Sequence, residues 1–303
     1  MVLLRRFGYG LRLFATHRAG IPLIVVGNVT VGGSGKTPLV LWIAEHLKRN
    51  GYRPGIVSRG HGARVDAPRE ASITSNPDDV GDEPILLARR SGCPVWVAPR
   101  RVAAVRALRA AHPECDVVLS DDGLQHYALA RDIEIAVVDS RGFGNGFLLP
   151  AGPLREPASR LRSVDAVVAH DTRAAAGFAM RLAGERFVQM LDARNVTGPE
   201  ALRGKQVHAV AGIGDPERFF RQIERLGLSI VRHPFDDHHA FQPADLRFGD
   251  AAPVVMTEKD AVKCKRFARP EFWIFPVSAE LDPAFGRWLL ERLTLIHGRS
   301  ATA

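Results

Sequence analysis

The run Gly32, Gly33, Ser34, Gly35, Lys36, Thr37 carries residue types that suit a polyphosphate. Glycines let backbone N–H groups turn inward around an anion, and a helix starting at the run adds its positive end. An ammonium at Lys36 would neutralise β and γ oxygens, and the Thr37 hydroxyl would reach a Mg2+ ion. The strict GxxxxGK[ST] spacing calls for glycine five residues before Gly35, and Thr30 stands there instead. On spacing alone, the alternative is a surface turn that happens to read GSGKT.

Asp121 and Asp122 close the apolar run DVVLS. Carboxylates there would sit at the carboxyl end of a parallel strand, beside the loop after the first strand, where one would hold Mg2+ directly or through water. Neighbours on a strand face opposite ways, so the two share a role only if the strand has already ended. A polar strand end before an Asp-Gly turn is the plain alternative. Phosphoryl transfer to an alcohol also needs a group to accept the hydroxyl proton. Asp82 and Glu83 in DDVGDEP, and His238 and His239 after Asp236 and Asp237, are candidates. The acidic pair would equally favour a helix start, the histidines would equally be surface residues, and spacing does not link Asp82 with His238. Arg59 in VSRGHG and Arg155 in LPAGPLREP would clamp phosphates, among many arginines that a basic surface simply solvates.

The elements that must position these residues alternate. Short apolar, β-branched runs predict strands at Ile21 to Gly27, Pro54 to Ser58, Pro94 to Ala98, Asp116 to Ser120, Ile133 to Asp139 and Asp165 to Ala169. The first runs into the glycine-rich loop and then a helix after Pro38, and RRVAAVRALRAAH carries apolar residues at helical spacing. Buried strands linked by helices imply an α/β fold with a parallel sheet covered on both faces, of the P-loop NTPase-like kind. A turn-rich stretch from Phe187 through NVTGPEALRG reads as an extended linker. The expected domains are therefore 1–186, nucleotide-binding, and 187–303, a smaller α/β domain closed by the helix RWLLERLTLIH.

Composition bounds the function. A chain of 303 residues with 46% hydrophobic and 24% charged residues has room for two modest domains and is not disordered, collagen-like or disulfide-stapled. The net charge of +8 favours polyanions: nucleic acid, nucleotide phosphates or an anionic membrane face. Cys93, Cys115 and Cys264 are far apart, without CxxC or His-spaced pairing, which fits a reducing cytosolic setting and no zinc site. No run approaches the roughly 18 to 20 apolar residues of a spanning helix, and no signal-peptide cleavage pattern is present. The opening segment mixes Leu3, Leu4, Phe7, Leu11, Leu13 and Phe14 with Arg5, Arg6, Arg12 and Arg18, as either an interfacial amphipathic helix or a helix packed on the domain would. A switch NTPase acting on a protein partner is a competing class. A nucleic-acid-binding ATPase is another, but it lacks any helix-turn-helix, RNA-binding sheet motif or zinc module.

Taken together, GNVTVGGSGKTP, SRGHG, VGDEP, SDDGLQHYALARDIEIAVVD, FGNGFLLPAGPLREP, GIGDPERFF, DDHHAF and MTEKDAVK occur in an order that resembles the tetraacyldisaccharide 4'-kinase family of lipid A biosynthesis, over nearly the whole chain. The family's own loop is similar to TVGGxGKTP, which accounts for Thr30 and brings Thr30 and Val31 in with the ATP-contacting stretch Gly32 to Thr37. The resemblance implies transfer of the ATP γ-phosphate to the 4'-hydroxyl of an acylated glucosamine disaccharide 1-phosphate, with Mg2+, at the cytoplasmic face of the inner membrane. It implies Asp82 as proton acceptor, His238 as its second-domain partner with His239 the neighbour in register, and Lys36 at the transferred phosphate. Thr37, Asp121 and Asp122 are implied at Mg2+, and Arg59, Glu83, Arg155 and His239 on the substrate side. Nucleic acid and an obligate protein partner are not expected. Many relatives begin with a longer hydrophobic segment, so attachment here is expected to be peripheral, with the Leu/Phe and Arg mixture lying along the headgroup layer.

Overall fold

The computed structural model describes residues 8, 9, 11, 13–172 and 177–300, with side chains to 297. Most of the basic and apolar residues of the opening segment, in 1–7, 10 and 12, lie outside the described residues. Strands follow the chain as β1 (Leu23–Gly27), β2 (Pro54–Ser58), β3 (Arg69–Ala71), β4 (Val95–Val97), β5 (Val117–Asp121), β6 (Ile133–Asp139), β7 (Ala166–His170) and β8 (Phe178–Ala183). They continue as β9 (Phe187–Gln189), β10 (Val196–Thr197), β11 (Gln206–Ala211), β12 (Ser229–Pro234), β13 (Val254–Thr257), β14 (Phe272–Phe275) and β15 (Ser278–Leu281).

The described residues up to Leu182 and from Ala279 onward make one compact unit, and Ala183–Ser278 make another. The first unit carries a sheet in the order β15-β8-β7-β6-β1-β5-β2-β4-β3. Strands β8 through β4 pair in parallel, and β3 joins antiparallel. From β1 the chain first builds one side of the sheet (β5, β2, β4) and then the other (β6, β7, β8). The connections leaving β1 and its neighbours thus diverge, and a crevice opens at their carboxyl ends, where α/β sheets place ligands. The register sets Val26 of β1 beside Asp121 of β5, so the phosphate loop and the carboxylates emerge from adjacent strand ends.

β1 is buried along its whole length, as expected of a central strand covered on both faces. The helix Lys36–Arg49 buries Leu39, Val40, Ile43, Ala44 and Leu47, a helical-period stripe, against this sheet. The helix Arg101–Ala111 buries Ala104, Val105 and Leu108 on the same core as Leu23, Val25 and Val118. Gly55 on β2 makes room for it, because a Cβ there would lie 2.7 Å from Leu108 Cδ1.

The second unit holds the sheet β10-β9-β14-β13-β11-β12, parallel from β14 to β12 and antiparallel at β9 and β10. Its core is aromatic: Phe187, Phe219, Phe220 and Phe275 on one face, Phe241 and Phe272 on the other. The stretch expected to be a linker is therefore paired β-structure, since β9 hydrogen-bonds β14 and its turn residues serve the β9–β10 hairpin. The closing helix also differs from expectation. Pro283–Ser300 packs on the first unit, where Phe285 meets Trp42 at 5.6 Å and Phe178 at 5.2 Å, and His46 Nε2 lies 3.3 Å from Gly286 O. Its aromatic residues find their partners there, which no local pattern announces. Among the described residues, no helix is long and apolar enough to cross a membrane.

Candidate active site

Gly32 and Gly35 adopt φ of +88° and +93°, the left-handed region that glycine enters freely. They turn the chain so that the helix Lys36–Arg49 starts with Gly35 as its cap residue, no capping side chain and no acidic residue in its first turn. Such a terminus leaves N–H groups for an anion. The loop is pinned from two neighbouring strand ends. The buried His170 ring, ending β7, donates from Nδ1 to Ser34 O at 2.9 Å. Arg141, just past β6, donates to Gly33 O at 3.1 Å while its guanidinium is held by Asp139. Thr30 and Val31 are tied to the 145–155 loop, through a bridge with Leu154 and a Val31 N to Pro153 O bond of 2.9 Å.

Lys36 Nζ lies 3.2 Å from Asn28 Oδ1 and 3.5 Å from Asp122 Oδ1. Asn28 is fully buried, and its amide nitrogen reaches toward Thr30 Oγ1 at 3.4 Å and Gly32 O at 3.5 Å. One amide thus holds both the lysine and the loop. Gln125 supports Asn28 from below, donating to its carbonyl at 3.0 Å and to Glu156 Oε1 at 2.9 Å. Glu156 is itself fully buried and takes a further bond from the Tyr127 hydroxyl.

The two aspartates face different company. Asp121 ends β5, and Asp122, at φ +47°, lies beyond it, so the strand has indeed ended between them. Asp122 takes Arg155 Nη1 on both oxygens, at 2.9 and 2.8 Å. Burial alone would raise its pKa, but Lys36, Arg155 and Arg101 hold it down at about 2. Asp121 is 1% exposed and its Oδ1 is buried without a hydrogen bond. Burial, then the charges of Glu83 and Asp122, push its carboxyl well above the ordinary range against Lys36 and Arg101. Ser34 Oγ is likewise buried and unbonded. Two orphaned oxygens beside an uncapped helix start fit a cation-bound polyphosphate. Among the described residues no cluster of three or more His, Cys, Asp or Glu is set to hold a metal alone. A Mg2+ ion here would take its remaining ligands from phosphate and water, as it prefers.

The structure also brings Arg59 and Glu83 into this field, the former acting on Arg101 and the latter on Asp121. Asp82, 5% exposed, opens the helix Asp82–Ser91, and its Oδ1 accepts from Glu83 N at 2.9 Å. The preceding Gly81, φ +92°, lies so close to the SRGHG turn that a Cβ would stand 3.0 Å from His61 O. The two glycine motifs are therefore parts of one packed corner. Sequence reasoning missed Arg101, 4% exposed, whose guanidinium donates to Asp122 O at 3.2 Å and whose pKa burial lowers to about 10 despite Asp122 and Asp121. It also missed Asn28, Gln125, Arg141, His170 and Glu156. The hint in the sequence is that Asn28, Gln125 and Glu156 lie within motifs already singled out, Glu156 directly after Arg155.

His238 and His239 belong to the second unit and differ sharply. His238 has φ +63°, with Lys259 Nζ at 3.2 Å from its Nε2. His239, expected on the substrate side, has Nε2 3.0 Å from Asp245 Oδ2 and its ring against Phe235 and Phe241.

Comparison with known proteins bears on this arrangement. A family model described as Tetraacyldisaccharide-1-P 4'-kinase matches residues 1–294. Proteins named tetraacyldisaccharide 4'-kinase from Methylobacillus flagellatus and Nitrosococcus oceani are 50% and 52% identical, over 97% and 96% of this chain and 88% and 86% of their own. A crystal structure of the "apo" form of LpxK from Aquifex aeolicus in complex with ATP superposes with a TM-score of 0.78, covering 96% of this chain and 95% of that one. At 24% identity that likeness speaks to the fold. The phosphate loop, the paired aspartates and the order of motifs around them thus occur in a protein matched by its family model over nearly its whole length: the chain belongs to the tetraacyldisaccharide 4'-kinase family.

Proposed function

We infer that the protein is an ATP-dependent kinase that moves the γ-phosphate onto the 4'-hydroxyl of tetraacyldisaccharide 1-phosphate, a step of lipid A biosynthesis. The observation that carries this reading is the uncapped helix start at Gly35, with Lys36 bound to Asn28 and Asp122 and the orphaned Asp121 oxygen beside it. Backbone amides of Gly32 to Lys36 cradle the phosphates, and Lys36 neutralises charge on the transferred group. When bound, Mg2+ would screen the negative charge of the phosphate oxygens. Thr37 and Asp121 are its protein ligands in this reading. Asp122, expected at the metal as well, has both oxygens on Arg155 and one near Lys36, and orients those two cations. Arg59, Glu83 and Arg155 face the substrate phosphate and sugar.

Asp82 is proposed to accept the hydroxyl proton with His238 as its partner; the pairing rests on the family's motif order. His239 supports the turn that carries His238. Attachment to the cytoplasmic face of the inner membrane is proposed to be peripheral. It is supported by Leu13 at 72% and Phe14 at 50% exposure among the described residues of the opening segment. Deleting the residues before Ala19 should reduce sedimentation with anionic vesicles, and unchanged binding would defeat the attachment proposal.

Labelled ATP incubated with the acceptor lipid and separated on thin layers tests the main reading. Label must enter an acidic glycolipid, and phosphate release without labelled lipid would overturn it in favour of a switch NTPase. Asp82→Ala and His238→Ala should each lower kcat by about 10²- to 10⁴-fold with ATP affinity nearly intact.

A further inference from the structure

The charged residues of the MTEKDAVK stretch have no part in the reading above, yet two of them converge on one histidine. Lys259, in the helix Glu258–Cys264 that follows β13, has a side chain only 13% exposed. Its Nζ lies 3.0 Å from Asp237 Oδ1 and 3.2 Å from His238 Nε2. An ammonium has donors and no acceptor. His238 Nε2 must therefore present its lone pair, and the single proton of the neutral ring sits on Nδ1.

The backbone of the same histidine is anchored by the next residue. Asp260, fully buried, accepts from Gly212 N at 3.0 Å and from Thr257 Oγ1 at 2.7 Å. Gly212 O in turn accepts His238 N at 3.3 Å. This hold keeps a non-glycine residue in the left-handed region, an arrangement that persists where the surroundings over-determine it. His239 is turned to Asp245 and two phenylalanines, so the neighbouring imidazoles are not interchangeable.

We propose that Lys259 is a positioning residue that fixes His238 as the Nδ1–H tautomer and sets its ring orientation, while Asp260 fixes its backbone. The catalytic half of this inference rests on the proposed part of His238 in phosphoryl transfer; the tautomer half does not. The full chain, labelled with 15N-histidine, gives both ring nitrogens in long-range proton–nitrogen spectra, and His238→Ala identifies the signals by their loss. The wild type should show a protonated Nδ1 and an unprotonated Nε2 at this residue. Lys259→Met, which keeps the stem and drops the donor, should shift population toward Nε2–H and lower kcat by about tenfold or more with the KM for ATP unchanged. Lys259→Arg should restore both. Asp237→Asn, which leaves Lys259 beside the ring, should keep the wild-type tautomer. An unchanged tautomer in Lys259→Met overturns the inference whatever the activity. A tautomer that moves while His238→Ala turns over like wild type removes the catalytic half and, separately, the role of His238 in the proposed function.

Discussion

Replacing Asp122 by Asn isolates the electrostatic centre of the phosphate site. The carboxylate lies 2.8 Å from Arg155 and 3.5 Å from Lys36, and its pKa falls from an ordinary 3.8 to about 2. That drop corresponds to about 2.4 kcal/mol in favour of the charged form. The side chain is 29% exposed, so screening trims the figure to about 2 kcal/mol. The folded pKa is depressed, so the contribution is complete above the unfolded value and lost as pH falls through the folded one. Linkage gives nearly the full effect at about pH 5 and roughly half at about pH 3. Urea unfolding, which leaves ion pairs unscreened, should therefore find Asp122→Asn less stable than wild type by about 2 kcal/mol near neutrality, with a gap that narrows between about pH 5 and pH 3. Equal stability near neutrality, or a gap that does not change over that acid interval, would refute the account of Lys36 and Arg155 as held by this charge.

Three further outcomes are expected. Gly35→Ala should lose about 2 kcal/mol in urea unfolding and weaken ATP binding, because φ is +93° and the new Cβ would stand 2.7 Å from His170 Nδ1. A neutral result would mean that the loop is not pinned as described. Glu156→Ala leaves the nearly buried Arg160, 3.3 Å away, and the Tyr127 hydroxyl short of a partner, and should cost about 3 kcal/mol by the same measurement. Asp121→Asn should raise the Mg2+ concentration needed for half-maximal rate by about tenfold or more, read from metal titrations of the kinase assay after chelation.

The central strands of the first sheet were legible because they are buried and read as apolar runs, β1 and β5 above all, whereas β3, β8 and β15, towards its edges, are largely exposed or half-buried and gave no such signal. Lys36 was legible from the glycine-rich loop between β1 and its helix, and Asp121 and Asp122 because they come directly at the end of an apolar run. Arg59, Glu83 and Arg155 could be named individually, but that they share one field with Asp121 and Asp122 depends on strand order, which only the folded chain supplies. Asn28, Gln125 and Glu156 stayed hidden for a different reason. A polar residue in a loop reads as solvated, and nothing local reveals that Asn28 and Glu156 are fully buried. The β9–β10 hairpin failed as a sequence signal because its strands are three and two residues long, shorter than any periodicity can register.

The return of the chain to its first sheet through β15 and the helix Pro283–Ser300 bears on how the protein is made. Ala183–Ser278 is an excursion that leaves and re-joins a single sheet at β8 and β15, which are neighbours. During synthesis the nucleotide-holding unit waits for Phe285 to leave the ribosome before Trp42 and Phe178 gain its cover, whereas the middle segment has all its own strands beforehand. A nascent or prematurely stopped chain ending anywhere before Phe285 would leave Phe178 without Phe285 and Trp288, and Trp42, among the described residues, with only the His46 ring against it, a target for chaperones and proteases even though every residue of the phosphate loop is already in place.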